Sequence, residues 1–320
     1  MIWSAERVLV TGAGGVLGHA LIAQVKTLGL AALHAPTRVQ CDLLNASATE
    51  AMFAEFRPTI VMHLAGRVWG VQGNMSFSGV AYRDNTMINM NVVEAARKVN
   101  VRKFIAAGTV AVYPDVTNRA ITEQDIWCGP PHGSEAAYAH AKLGMLAQLQ
   151  AYARQWGMEY AYLLYTNLFG SHDRFDEEYG HVVPSLISRF HRLKREGASE
   201  VVVWGDGSPT RDFLFAADAA IATIACAEKI SGPVNIATGH SITIRQMVET
   251  LQRISGFTGK VLWDTSKPLG QLSRRYDISR LHDIGWKPSF SLEQGLHATW
   301  EWFETTERIR GLRSKKDEPD

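Results

Sequence analysis

The stretch VLVTGAGGVLG, Val8 to Gly18, constrains the fold of this chain more than any other. It places an apolar run, Arg7 to Thr11, directly before glycines at 12, 15 and 18, and a helical pattern from Gly15 to Leu28 follows. Glycine permits the sharp turn, lets backbone approach a bulky anion, and brings helix against strand. The helix start then offers unpaired N–H groups and a positive dipole end to phosphate. A G-x-x-G-x-x-G frame between a first strand and a first helix therefore predicts a dinucleotide site on a parallel α/β sheet.

Alternation downstream extends that expectation. Strand-like runs at Leu30–His34, Thr59–His63, Lys103–Ala107 and Tyr160–Leu164 alternate with helical patterns at Ser47–Phe56, about Tyr82–Val99 and about Glu135–Trp156. This rhythm predicts an α/β fold with a Rossmann-like, doubly wound parallel sheet. Beyond Asn167 the rhythm breaks. A helix near Val183–Arg195 and a strand Val201–Trp204 sit among loop-like stretches such as WGDGSPT and TSKPLGQLS. The expected division is a cofactor domain over 1–168, with segments near 212–240 rejoining it. A smaller mixed substrate lobe over 169–308 and a charged tail over 309–320 complete it.

Composition excludes several classes. The 320 residues carry a net charge of +1, so no global field draws the chain to nucleic acid or a membrane surface. The apolar runs fall short of the ~20 residues a spanning helix needs. The start, MIWSAERVLVTG, lacks the layout of an export signal. The three cysteines, Cys41, Cys128 and Cys226, form no C-x-x-C pair and suit a reducing cytosol. A cytoplasmic protein without a metal site is expected.

The end of the second strand bears on the cofactor. An NAD site usually carries an acid there for the ribose hydroxyls. Here AALHAPTRVQCD has none before Asp42, and Arg38 stands where a 2′-phosphate would sit, which favours NADPH over NADH. Asp42 and Leu43 border the adenine in this reading. Further on, Tyr138 and Lys142 in YAHAK are four apart and share a helix face. A neighbouring ammonium is expected to lower the phenol pKa toward the working range. Thr109, at the carboxyl end of the fourth strand, lies where such sheets bind ligands and can hydrogen-bond a carbonyl oxygen.

These features together resemble the extended short-chain dehydrogenases/reductases that work on nucleotide sugars, and among them the GDP-L-fucose synthase family. The segments carrying the resemblance are VTGAGGVLG, CDLLN, HLAGRVWG, DNTMINMN, GTVAVYP, YAHAK, TNLFGSHDRFD, GHVVPSLISRFH, VVVWGDGSPTRDF, IATGHSITIRQ and SKPLGQLSRRYD. They span nearly the whole chain in order. The resemblance implies that Tyr138 protonates a C4 oxygen while a dihydronicotinamide delivers hydride. It implies that Lys142 holds the nicotinamide ribose and that Thr109 replaces the family serine. Gly12, Gly15, Val16, Leu17, Leu64, Ala65 and Gly66 would join Arg38, Asp42 and Leu43 around the cofactor. Asn167, His181, Val183, Arg189, Trp204, Arg211 and Arg275 would contact a GDP-linked sugar, the arginines suiting a diphosphate. A homodimer packed through helices near 82–99 and 135–156, with Met87 and Met90 contributing, is also implied.

Two positions depart from the family pattern. The family loop resembles G-S-S-C-x-Y-P, and its cysteine works with a histidine in H-V-x-P to epimerise C3 and C5. Here the cysteine position holds Ala111, while His181 remains. A methyl group exchanges no proton, so the expected function is NADPH-dependent reduction of a C4 ketone on a GDP-linked hexose or heptose, without epimerisation. A bifunctional epimerase-reductase and an NAD-retaining 4-epimerase stay open as alternatives. The second departure is Gly14, where the family often carries an arginine near the cofactor phosphate.

Overall fold

The computed structural model describes residues 1–115, 119–266 and 273–314. Its centre is a six-stranded sheet formed by β1 (Arg7–Thr11), β2 (Ala32–His34), β3 (Ile60–His63), β4 (Lys103–Thr109), β5 (Glu159–Tyr165) and β9 (Gly232–Ile236). The strand order is β2-β1-β3-β4-β5-β9, and each neighbouring pair is parallel. The inner strands β3 and β4 are buried almost throughout, because helices cover both faces. The edge strand β2 is only three residues long and half-buried.

Helix α1 (Val16–Val25) packs with α7 (Ala216–Lys229) on one face, while α2 (Ala46–Phe56), α4 (Ser78–Lys98) and α5 (Ala136–Trp156) pack together on the other. The chain order reverses between β1 and β3, and that switch opens a crevice at the carboxyl ends of the strands. Before α4 runs a short helix, α3 (Val71–Ser76), which no sequence signal had announced.

The second half builds its own core. A three-stranded sheet, ordered β10-β8-β6, joins β6 (Asn167–Phe169), β8 (Thr210–Phe215) and β10 (Ser241–Thr243). Strands β7 (Glu200–Trp204) and β11 (Lys260–Asp264) pair in parallel. Burial alternates along β7, with Val201 and Val203 inward and Val202 and Trp204 outward. Three helices, α6 (Val182–Glu196), α8 (Ile244–Ser255) and α10 (Leu292–Ser314), pack around this core, and Phe169, Phe190, Met247, Leu251 and Trp300 fill it. The short α9 (Ser279–Asp283) instead belongs to the first core through Leu281.

Two sequence expectations meet the structure here. Helix α10 runs on to Ser314, into the segment read as a tail. TSKPLGQLS lies mostly outside the described residues. Among the described residues, no helix is long and apolar enough to cross a membrane.

Candidate active site

The glycine turn forms the floor of the crevice. Gly12 has φ of +74°, and a Cβ there would lie 2.6 Å from the Ala65 nitrogen, so β1 and the loop Leu64-Ala65-Gly66 touch backbone to backbone. A Cβ on Gly18 would come within 2.3 Å of the Gly12 carbonyl oxygen, which locks α1 against the turn. Gly15 caps α1, and the helical ladder begins with the His19 N–H donating to the Gly15 carbonyl. The N–H groups of Val16 and Leu17 therefore precede the ladder and face an incoming anion. Leu17 turns its side chain into the core at 7% exposure and can serve only through its backbone. This cradle, which any side chain would fill, fits the phosphates of a dinucleotide.

Arg38 is solvent-exposed and lies 3.7 Å from Asp42, close enough to be swung from that carboxylate to a phosphate. Asp42 Oδ1 accepts the Leu44 N–H, and Asn91 Nδ2 donates to the Leu43 carbonyl, so this edge is held by neighbours on both sides. A Cβ on Gly14 would meet nothing within 4 Å.

Across the crevice, α5 presents Tyr138 and Lys142 on one face, both buried. Lys142 Nζ donates to the Ala107 carbonyl of β4 at 2.8 Å and lies 5.8 Å from the Tyr138 ring centroid. Thr109 ends β4, and its Oγ1 accepts the Ala111 N–H at 3.2 Å. The structure thus gathers Thr109, Tyr138 and Lys142 at the end of one strand.

The electrostatics differ from the sequence expectation. Burial first, then the Glu135 carboxylate, raise the Tyr138 pKa above its ordinary value. The ammonium meant to lower it is hydrogen-bonded to a carbonyl, and burial pushes Lys142 itself down to about 8. Tyr138 is consequently a protonated phenol, the form a proton donor requires.

A buried polar chain beneath this site escaped the sequence reading. His63 Nδ1 lies 2.7 Å from Thr11 Oγ1, and its Nε2 lies 3.1 Å from Asn89 Oδ1. Asn89 Nδ2 donates to the Ala141 carbonyl, the residue before Lys142. Asn89 thus offers His63 an acceptor, which makes Nε2 the protonated nitrogen and leaves Nδ1 to accept from Thr11. Burial, and then the Lys142 charge, push the His63 pKa down to about 3, so the ring stays neutral. Asn85 performs a related service, donating to the Arg67 carbonyl and accepting the Arg67 N–H beside Gly66. The signals were present as the polar residues of DNTMINMN on an otherwise core-facing helix.

The second lobe supplies the opposite wall. The Gly70 N–H donates to the Tyr179 carbonyl, and a Cβ on Gly70 would come within 2.3 Å of the Gly180 oxygen. This contact carries His181, the N-cap of α6, to the loop after β3. The His181 ring lies among protein on most sides yet stays open to solvent, and desolvation and then Arg174 lower its pKa. Val183 is 2% exposed, with its side chain in the second core, so its N–H in the first turn of α6 is what it can offer.

The remaining predicted residues are placed unevenly. Asn167 Nδ2 donates to the Asp212 carbonyl at 3.0 Å. Arg189 is occupied by Glu177 at 3.4 Å and by the Val202 carbonyl at 2.9 Å. Trp204 is half exposed at the end of β7. Arg211 is partly buried, donates to the Thr210 carbonyl, and has its pKa lowered chiefly by desolvation. Arg275 points to solvent while its carbonyl accepts the Ile121 N–H, and the buried arginine is its neighbour, Arg274.

A parallel sheet with a glycine cradle and a helical Tyr–Lys pair defines an extended short-chain dehydrogenase/reductase. Residues 8–237 match the NAD dependent epimerase/dehydratase family, and the chain belongs to it. It is 37% identical over 93% of its length to "Probable GDP-L-fucose synthase 1" of Oryza sativa subsp. japonica, covering 92% of that protein. To GDP-L-fucose synthase of Escherichia coli strain K12 it is 34% identical over 96% of this chain and 100% of the relative. The structure also superposes, with a TM-score of 0.84 and 26% identity, on "MlghC, GDP-mannoheptose C4 reductase from Campylobacter jejuni with NADP bound", covering 94% of this chain and 99% of that one.

Proposed function

We propose that this protein is an NADPH-dependent reductase of the C4 ketone of a GDP-linked 4-keto sugar that leaves C3 and C5 untouched. The observation that carries the reading is Ala111. It is 3% exposed in the turn after Thr109, and it brings a methyl group where the fucose synthase pattern has a proton-transferring thiol. None of the three cysteines stands in for it. Cys41 adjoins Thr49 on α2, Cys226 lies in the core on α7, and Cys128 donates to the Gln124 carbonyl. The GDP-L-fucose synthases and the NADP-bound C4 reductase among the relatives support both the sugar nucleotide and the cofactor.

NADPH, when bound, supplies hydride. The rest is the work of this chain. The Gly12–Leu17 turn would hold the pyrophosphate and Arg38 the 2′-phosphate. Thr109 would hydrogen-bond the C4 carbonyl oxygen, and Tyr138 would pass it a proton as carbon accepts hydride, giving the alcohol. Lys142 would hold the nicotinamide ribose and offset the charge left on the phenolate. Arg211 would meet the diphosphate, Trp204 would cover the base or ribose, and Asn167, Val183 N–H, Arg189, His181 and Arg275 would line the remainder.

The test is NADPH oxidation against a panel of GDP-4-keto-6-deoxyhexoses and GDP-4-keto-heptoses in heavy water. Reduction without deuterium at C3 or C5 is expected. Deuterium at either carbon would instead make the enzyme bifunctional, with His181 or a bound water covering the role of the missing thiol. Failure to reduce every member would remove the reading.

We also propose a homodimer through α4 and α5. Tyr82, Met87 and Met90 are exposed on α4. A groove of about 590 Å³ lined by Tyr82, Trp127, Ala137, Leu143 and Gly144 runs beside α5. Sedimentation should give twice the chain mass, and a monomer would refute it.

A further inference from the structure

Arg274 is 4% exposed, and its guanidinium reaches across to the turn after β4. Nη1 donates to the Val110 carbonyl at 2.7 Å and Nη2 to the Tyr113 carbonyl at 3.1 Å. Those two carbonyls bracket Ala111 and Val112, so one side chain from far along the sequence spans the turn. The other end of the turn is held by Thr109 Oγ1 through the Ala111 N–H. Arg274 is itself anchored, since Ser241 Oγ donates to its carbonyl and the Ile121 and Asp277 N–H groups close an isolated bridge beside it.

The charge balance around this clasp is incomplete. A buried guanidinium ordinarily has a carboxylate in close contact. Arg274 meets the half-exposed Asp115 only at 4.0 Å, and its Nε has no hydrogen-bond partner. Arg211 follows Thr210 on β8, and Thr210 Oγ1 donates to Ser273 Oγ at 3.1 Å, which sets the two arginine-bearing segments side by side. The positive charges oppose each other, with Glu135 acting on Arg211 from the start of α5 and Tyr276 lying near both arginines. Two guanidiniums therefore share a partly desolvated space in which the nearby buried carboxylate, Asp212, is committed to the Thr238 and Gly239 N–H groups. A dianionic group such as a diphosphate corrects that imbalance.

We infer that Arg274 is a positioning residue that seats the turn from Thr109 to Tyr113, and that an anion arriving at Arg211 tightens this clasp. Only the identity of the anion, the diphosphate of a GDP-sugar, rests on the function proposed above. The mechanism is electrostatic. Neutralising Arg211 removes a repulsion that opposes the seating of Arg274 on its two carbonyls, so substrate capture and orientation of Thr109 become one event.

Amide hydrogen exchange tests this without any turnover. In the wild-type chain, inorganic pyrophosphate should slow exchange at residues 110–113, while sodium chloride at matched ionic strength should not. Identical rates with and without pyrophosphate would overturn the coupling. Arg274→Met should speed exchange at 110–113, abolish the pyrophosphate response there, and leave the amides of β1 unchanged. In turnover it should lower kcat by about 10- to 100-fold with the affinity for NADPH unaltered, the cost of a catalytic group misplaced by about 1 Å. Arg274→Lys, which keeps the charge but lacks the fork that spans both carbonyls, should recover part of both effects. Wild-type exchange at 110–113 in Arg274→Met, or undiminished kcat, would overturn the positioning role. Should the wild type leave every GDP-4-keto sugar unreduced, the proposed function falls while the exchange result stands separately.

Discussion

Tyr138→Phe separates chemistry from folding more cleanly than any other substitution in this protein. It deletes one oxygen and leaves the ring in place, packed 5.8 Å from the Lys142 ammonium. Burial and the Glu135 carboxylate, without a hydrogen bond, govern the proton affinity of the phenol. Lys142 is held by the Ala107 carbonyl rather than by the hydroxyl, so the substitution leaves it seated. Removing a hydroxyl under these conditions should change stability by less than about 1 kcal/mol, or under about 2 °C in Tm for a chain of this size. Loss of a positioned proton donor should cost about 10²–10⁴ in kcat, equivalent to about 3–5 kcal/mol of transition-state stabilisation at 1.36 kcal/mol per decade. The assay is NADPH absorbance at saturating GDP-4-keto sugar, alongside a direct NADPH titration and a thermal melt. Turnover within about tenfold of wild type would refute Tyr138 as the proton donor. A melt or NADPH affinity that collapsed in parallel would show that the loss came from folding.

Other outcomes follow from the same geometry. Burial lowers Lys142 from 10.5 to about 8, so its charge is present below pH 8 and lost above it, and kcat/KM should fall as pH rises through that value. The unfolded chain keeps that proton to higher pH, so between about 8 and 10.5 this group makes the folded state more stable as pH rises; a stability decrease assigned to Lys142 would contradict the shift. Arg38→Ala should weaken NADPH binding by about 10- to 100-fold, as for a lost charge-assisted contact, with NADH unaffected; equal loss for both would show that Arg38 does not read the 2′-phosphate. Gly14→Arg has open space and should fold normally while tightening NADPH by roughly two- to fivefold, a surface-pair effect. Gly12→Ala should abolish NADPH binding, because the added carbon meets the Ala65 nitrogen at 2.6 Å, and retained affinity would show that the cradle is built otherwise.

Much of the candidate site is legible in the sequence because its logic is local. The Tyr138–Lys142 spacing needs only a helix, and the glycine turn needs only the strand before it and the helix after it. The polar residues His63, Asn85 and Asn89 were legible as residues but not as a network, since their partners come from other elements of the fold. The second lobe was read least completely. Its strands β6 and β10 are three residues each, too short to show a period, and the amphipathic α8 sits among loop-like stretches that obscure its start and end.

Adjacent residues Arg274 and Arg275 mark where sequence stops and structure begins. The segment is extended, so its side chains alternate, and Arg274 and Tyr276 turn inward while Arg275 faces solvent. Nothing in SRRYD says which arginine does so, because that choice depends on pairing with Ile121, a residue from a distant part of the chain. The sign of the Tyr138 shift has the same origin. Sequence placed a cation four residues away, and that spacing is fixed by helix geometry alone. Only tertiary packing buried the phenol, engaged the lysine with Ala107 and set desolvation above the attraction of opposite charges. The sequence by itself thus determined the class of fold, the glycine turn and which candidate groups share one helix face. The tertiary structure decided how deeply they are buried and which distant side chain hydrogen-bonds the turn after β4, because burial and long-range pairing are properties of the packed chain and not of any segment within it.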